Sequence, residues 1–139
     1  MKLQILSKTQ EPIGGFKTVI VDNNSLDLGE ISPNECEVIL ASDVVDSVTY
    51  SAIDQLMSAL ASKLRINGEL TVGGTDVRMF AAAVANARVS LEEASNIVTN
   101  VNSMTNGPDV TRTLESLGLE VQSISLEGVH YEIKAKRVS

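Results

Sequence analysis

Aromatic side chains are scarce in this chain: there are two Tyr, two Phe and no Trp among 139 residues. Leu, Ile, Val, Ala and Met must therefore fill the core, and the stacking platforms that hold bases or sugars are largely missing. Basic residues are also few. Eleven Lys and Arg stand against eighteen Asp and Glu, for a formal net charge of −7, and they are scattered except for Lys134, Lys136 and Arg137. No basic face for a phosphate backbone results, so nucleic acid is not an expected partner. A single cysteine, Cys36, rules out an internal disulfide and a cysteine-based metal cluster, and its place at the head of an apolar run reads as a buried small thiol. No run nears the ~18 apolar residues of a membrane span, and the first apolar stretch is too short for a secretory signal, so a cytoplasmic protein without a membrane partner is expected.

What is present is an ordinary globular balance, 43% hydrophobic and 21% charged, expected to form one domain over residues 1–139. "KLQIL" (Lys2 to Leu6) and "KTVIVD" (Lys17 to Asp22) read as strands. The turn-rich link between them, Ser7 to Phe16, is at the lower limit for a parallel crossover. Either that crossover lacks its helix or the two strands are not parallel. "CEVILASDVV" (Cys36 to Val45) reads as a central strand buried on both faces, with polar groups at its carboxyl end.

Ile53, Leu56, Met57, Leu60 and Leu64 fall at helical spacing, and Asn67-Gly68 supplies a stop. After the strand "ELTVGG", Thr75 or Asp76 can cap a helix reaching about Asn86, with Val77, Phe80, Ala81 and Val84 as its core stripe. Ser90 and Glu93 form a capping box for a helix from Leu91 to about Val101. Pro108 and Gly118 bracket another. "LEVQSISL" and "VHYEIKAKR", separated by Glu127-Gly128, close the chain as an antiparallel hairpin. The expected fold is α/β, a Rossmann-like, mostly parallel sheet of about six strands with a C-terminal antiparallel hairpin.

Gly73-Gly74 with Asp76 behind them mark the end of the most apolar strand. In open α/β sheets ligands bind at the carboxyl ends of strands, and glycine there admits close approach to backbone. A strand end followed by a helix cap is the simpler reading, and both stay open at this point. His130, the sole histidine, shares an alternating polar face with Glu132 and Lys134. It is expected to be solvated, and no metal site is expected.

The order "KLQIL…GGFKTVIVDNN…CEVILASDVVDSV…LMSALASKLRINGELTVGGTD" resembles the class I S-adenosylmethionine-dependent methyltransferases, most of all small members with a short path from first strand to second. "KLRINGELTVGGTD" is similar to their recurrent helix, "L(K/R)-x-G-G-x-L" and strand ending near an acid, with Asn67 at the first glycine. The resemblance implies S-adenosylmethionine as methyl donor, a small-molecule or saccharide acceptor, and an activity of direct methyl transfer.

On the same resemblance, Ser7 stands where the donor loop begins, Asp22 where an acid holds the donor's ribose, and Ser42 at the matching serine of "ASDVVDS". The segment "ASDVVDS" is similar to Ala-Ser-His-Val-Leu-Glu-His in those members. Asp43 replaces its first histidine and could take the catalytic place only if burial raised its pKa toward neutrality; Asp46 replaces the glutamate and Ser47 the second histidine, and the alternative is that Asp43 and Asp46 simply cap the helix that follows. Tyr50 is a candidate acceptor contact. The chain departs from the family in its donor loop, where Ser7, Lys8 and Thr9 occupy the glycine positions and Gly14-Gly15 come later. That departure keeps an alternative in view: a non-catalytic binding or assembly module, for which the Ala-rich helix "FAAAVANA" offers a surface for oligomer formation.

Overall fold

The backbone is built around one six-stranded sheet, seen in a computed structural model that describes residues 1–7, 10–21 and 26–139. The elements in chain order are β1 (Lys2–Leu6), β2 (Lys17–Ile20), β3 (Cys36–Ala41), α1 (Ile53–Lys63), β4 (Leu64–Thr75), α2 (Val77–Ala85), α3 (Leu91–Asn100), α4 (Gly107–Ser116), β5 (Leu119–Glu127) and β6 (His130–Arg137). Two short 3-10 turns, Val44–Ser47 and Tyr50–Ala52, lie between β3 and α1. In space the strands run β2-β1-β3-β4-β6-β5. The first four are parallel, and β6 enters antiparallel between β4 and β5.

Register divides the central strands into two faces. Leu3, Ile39, Leu70 and Ala135 form one paired row, and Ala41, Val72 and Ile133 another, and every one of these side chains is fully buried. They share a core with Leu56, Met57 and Leu60 of α1 and Val110 and Leu114 of α4. Each buried Leu, Ile, Val or Met side chain among them contributes about 1.5–3 kcal/mol of burial.

The opposite face carries Lys2, Val38 and Glu69 in one row and Gln4, Leu40, Thr71 and Lys134 in another. Lys2, Glu69 and Lys134 are exposed, and Val38 and Leu40 only half-buried. The expectation that β3 would be buried on both faces is therefore corrected: among the described residues the hydrophobic core forms on one face. Leu70 to Val72 of β4 are buried throughout, as the apolar run implies.

The short link between β1 and β2 spans a parallel pair and has no helix among its described residues. Gln4 holds it instead. This side chain, 7% exposed, donates from Nε2 to the Glu11 carbonyl (3.1 Å) and accepts the Ile13 amide (2.8 Å). One glutamine thus satisfies backbone groups that a crossover helix would otherwise pair internally.

The expected stop at Asn67-Gly68 is not a break between helix and strand. Helix α1 ends at Lys63, and β4 begins at the next residue. Asn67 has φ 67° inside a bulge where Cys36 pairs Leu64 but Val38 pairs Glu69. Gly68 is needed there because a Cβ would lie 2.8 Å from the Cys36 carbonyl.

Helix α2 also departs from its expected stripe. Val77, Ala81 and Val84 are exposed and Phe80 half-buried, while Ala83 is the one buried residue of the helix. The spacing is that of an amphipathic helix, but its apolar stripe stays largely uncovered among the described residues. The caps are as the residue types dictate: Asp76 accepts Met79 N–H at 2.9 Å, Ser90 and Glu93 close a capping box, and Asn106 caps α4 ahead of Pro108.

Candidate functional site

At the carboxyl ends of β1, β3 and β4 lies a cleft of about 820 Å³. Ser7 enters it from the end of β1, Asp43 and Asp46 from the turn after β3, and Thr75 from the end of β4. His130, the first residue of β6, joins them because antiparallel pairing sets it opposite Thr75. Asn96, Ile97 and Asn100 of α3 form a wall, with Val21, Val101 and Val129 as apolar lining.

The turn after β3 is anchored by its apolar residues. Val44, Val45 and Val48 are buried, which leaves Asp43 and Asp46 facing the cleft. The chain from Asn102 to Thr105 grips the turn from outside: Asn102 N–H donates to the Asp46 carbonyl (2.7 Å) and Ser103 Oγ to the Val45 carbonyl (2.9 Å). Asp46 itself accepts two hydrogen bonds from Thr75, at 2.7 Å from the amide and 3.1 Å from Oγ1. Burial raises the Asp46 pKa above the ordinary carboxylate value, opposed by the Thr75 bonds.

Asp43 is held on both sides. Gln10 Nε2 donates to Oδ2 at 2.6 Å, and His130 Nε2 lies 3.1 Å from Oδ1. The same imidazole nitrogen is 3.2 Å from the Ser42 carbonyl oxygen. His130 is therefore not the solvated residue its alternation implied; its side chain is 32% exposed and reaches across β4 to the end of β3. It can do so because β4 is bare at Gly73, where a Cβ would stand 3.1 Å from His130 Nε2 and 2.3 Å from the Ser42 carbonyl. On the other face, Gly74 lets Val45, Asp46 and the Tyr131 hydroxyl approach, with distances of 3.0–3.3 Å to a Cβ placed there.

Gly73 and Gly74 are buried and admit the protein's own strands and side chains, while Asp76 caps α2. They shape the cleft from behind instead of lining it.

Of the residues singled out from sequence, Ser7 and Asp43 line the cleft. Ser42 adds its backbone carbonyl to the Asp43 and His130 cluster. Asp22 lies outside the described residues, although its neighbour Val21 lines the cleft. Tyr50 is 68% exposed and outside the lining. Sequence reasoning missed His130 and Thr75 as site residues. A usable signal existed: a final antiparallel strand next to β4 must start at the carboxyl edge, so its first polar residue belongs there.

Asp43, Asp46 and His130 each present one ligand atom, all within 4.8 Å of one another. The expectation of no metal site rested on the absence of a second ligand near His130 in sequence; the fold brings Asp43 and Asp46, from the turn after β3, beside it.

Searches against protein-family models and against curated proteins give no match. Solved structures do match. An O-methyltransferase family protein from Burkholderia thailandensis superposes with a TM-score of 0.61 at 17% identity, covering 88% of this chain and 36% of the other. An S-adenosylmethionine-dependent methyltransferase from Thermotoga maritima, described as a possible histamine N-methyltransferase, gives 0.58 at 13% identity, covering 88% and 64%. One from Archaeoglobus fulgidus gives 0.62 at 13%, covering 95% and 75%. The chain thus spans between about a third and two thirds of the length of the first of these neighbours.

Proposed function

We propose that this chain, whose fold is that of the class I S-adenosylmethionine-dependent methyltransferases, binds the methyl donor in the cleft and transfers its methyl group to a small-molecule acceptor. The observation that carries the reading is convergence: Ser7, Asp43 and Thr75, at the ends of three neighbouring parallel strands, line one cleft at the edge where open α/β sheets bind ligands. Its volume, about 820 Å³, suits a ligand of the donor's size.

In this reading Ser7, the Ser42 segment and Asp22 hold the donor, Asp22 through the ribose hydroxyls, since a carboxylate accepts two hydrogen bonds at once. The acceptor lies against Asp43. Bound there, the donor would supply an electrophilic methyl group to the acceptor's oxygen or nitrogen and would leave as the thioether S-adenosylhomocysteine, while the Asp43 carboxylate would take the proton the acceptor gives up. The protein's contribution is chiefly alignment of the reacting groups and exclusion of water.

One observation favours the second reading, a non-catalytic module. Gln10, directly after the Ser7-Lys8-Thr9 positions where the family keeps glycine, accepts Ser7 N–H at 3.0 Å while it donates to Asp43, so donor binding must displace or accommodate that side chain. Weak donor affinity is expected. Calorimetric titration with S-adenosylmethionine and S-adenosylhomocysteine tests the proposal. Binding that Asp22→Ala abolishes supports it; absence of binding to the wild type overturns it in favour of the module.

A further inference from the structure

We propose that Asp43, Asp46 and His130 form a binding site for a divalent transition-metal ion at the floor of the cleft. Three observations combine. The ligand atoms come from two separate segments, the turn after β3 and the start of β6, yet lie within 4.8 Å of one another. Metal–ligand bonds of about 2.0–2.2 Å place neighbouring ligand atoms roughly 3 Å apart, and Asp43 Oδ1 and His130 Nε2 already stand at 3.1 Å. Closing on an ion then needs one Asp46 oxygen, bonded to Thr75 and within 4.8 Å of the other two ligand atoms, to move into the same range.

The charge is unbalanced in the cation's favour. Two carboxylates face the cleft, and among the described residues that line it there is no Lys or Arg. Among the described residues, the one ion pair at this cluster is the His130 contact to Asp43. A cation would supply the compensation that two clustered, partly buried carboxylates otherwise lack.

The ligands are also held from behind, as metal ligands characteristically are. Thr75 fixes Asp46 with two hydrogen bonds, and Gln10 fixes Asp43. The donor set, one imidazole nitrogen and two carboxylate oxygens, selects among ions. It suits manganese, ferrous iron, cobalt or zinc, while magnesium and calcium favour all-oxygen sites and copper(I) favours sulfur. Three protein ligands leave positions open toward the cleft for water or an oxygen of a bound small molecule.

The site stands independently of methyl-donor binding, so the test uses the metal alone. Metal-free protein is titrated with Mn²⁺ by electron paramagnetic resonance and with Zn²⁺ by calorimetry, in wild type, His130→Ala and Asp43→Asn. Circular dichroism confirms that each variant is folded. One ion per chain is expected, with affinity falling about tenfold or more in each variant and with Mg²⁺ binding weaker than Mn²⁺. Absence of binding to the wild type, or binding that both folded variants leave unchanged, overturns the site. Asp46→Asn is a less clean probe because that carboxylate also anchors Thr75.

Discussion

Replacing Gly73 with Ala isolates the packing on which the cleft depends. The new Cβ would stand 2.3 Å from the Ser42 carbonyl oxygen and 2.5 Å from that of Tyr131. Both contacts are to backbone, one just past the end of β3 and one in β6, so no rotamer change relieves them. Strands β3 and β6 must both draw back from β4, or β4 must buckle. Overpacking a well-filled interior typically costs about 1–3 kcal/mol, and with rigid partners on two sides about 3 kcal/mol is expected. Against a total of about 5–15 kcal/mol, that corresponds to a melting temperature lower by roughly 10 °C for a chain of this size.

Thermal and urea unfolding followed by circular dichroism measure the effect directly, with Gly14→Ala as control. Gly14 has nothing within 4 Å of its would-be Cβ, and such a substitution at a compatible backbone is neutral or stabilising by up to about 1 kcal/mol. The same Cβ stands 3.1 Å from His130 Nε2, so Gly73→Ala should also push the imidazole off Asp43 and weaken Mn²⁺ binding. A Gly73→Ala protein within about 0.5 kcal/mol of wild type would refute the claim that β3 and β6 close on β4 at this residue.

Gln4→Ala removes the amide that holds Glu11 and Ile13, and should cost about 1–3 kcal/mol, read by urea denaturation, with faster hydrogen exchange at the Ile13 amide. Leu70→Asp places an unpaired charge in the fully buried row of the core and should leave the domain unfolded by circular dichroism, because the penalty is several kcal/mol; a cooperative melt would contradict the assignment of that row. Burial pushes the Tyr131 hydroxyl up to about 12 from 10.0, so the native chain holds this proton after the unfolded chain would release it. Stability is then complete below pH 10 and falls as pH rises from about 10 to 12. Stability measured across that window should decline less steeply in Tyr131→Phe, which also loses the 2.6 Å bond to Thr105.

The strands and helix caps were legible because each is a local signal: β-rich runs, Ser90 with Glu93, Pro108 ahead of an amphipathic turn. Sequence also placed Ser7 and Asp43 at the sheet's carboxyl edge. What it could not convey was which face of the sheet would be covered. Val38 and Leu40 read as core residues because they are apolar, yet they lie opposite the only face on which α1 and α4 pack. Asn67-Gly68 read as a turn because the pair favours left-handed backbone, and the same preference serves a bulge inside a continuous strand. His130 was misplaced for a related reason. Alternation along β6 fixed the face correctly, but the ring's reach over β4 depends on the missing side chain of Gly73, a residue 57 positions earlier in the sequence.

The antiparallel entry of β6 between β4 and β5 also sets an order of assembly. Strand β4 is the longest in the sheet, Leu64–Thr75, and its second edge stays open until β6 has been synthesised and has threaded into place. Until then the chain presents a long, apolar row of unpaired backbone groups, the kind of edge that recruits other chains. The His130 contact with Ser42 bridges 88 residues of sequence, so it can form only when that edge has closed. The Asp43, Asp46 and His130 cluster therefore comes together only in a chain whose β4 edge is closed by β6.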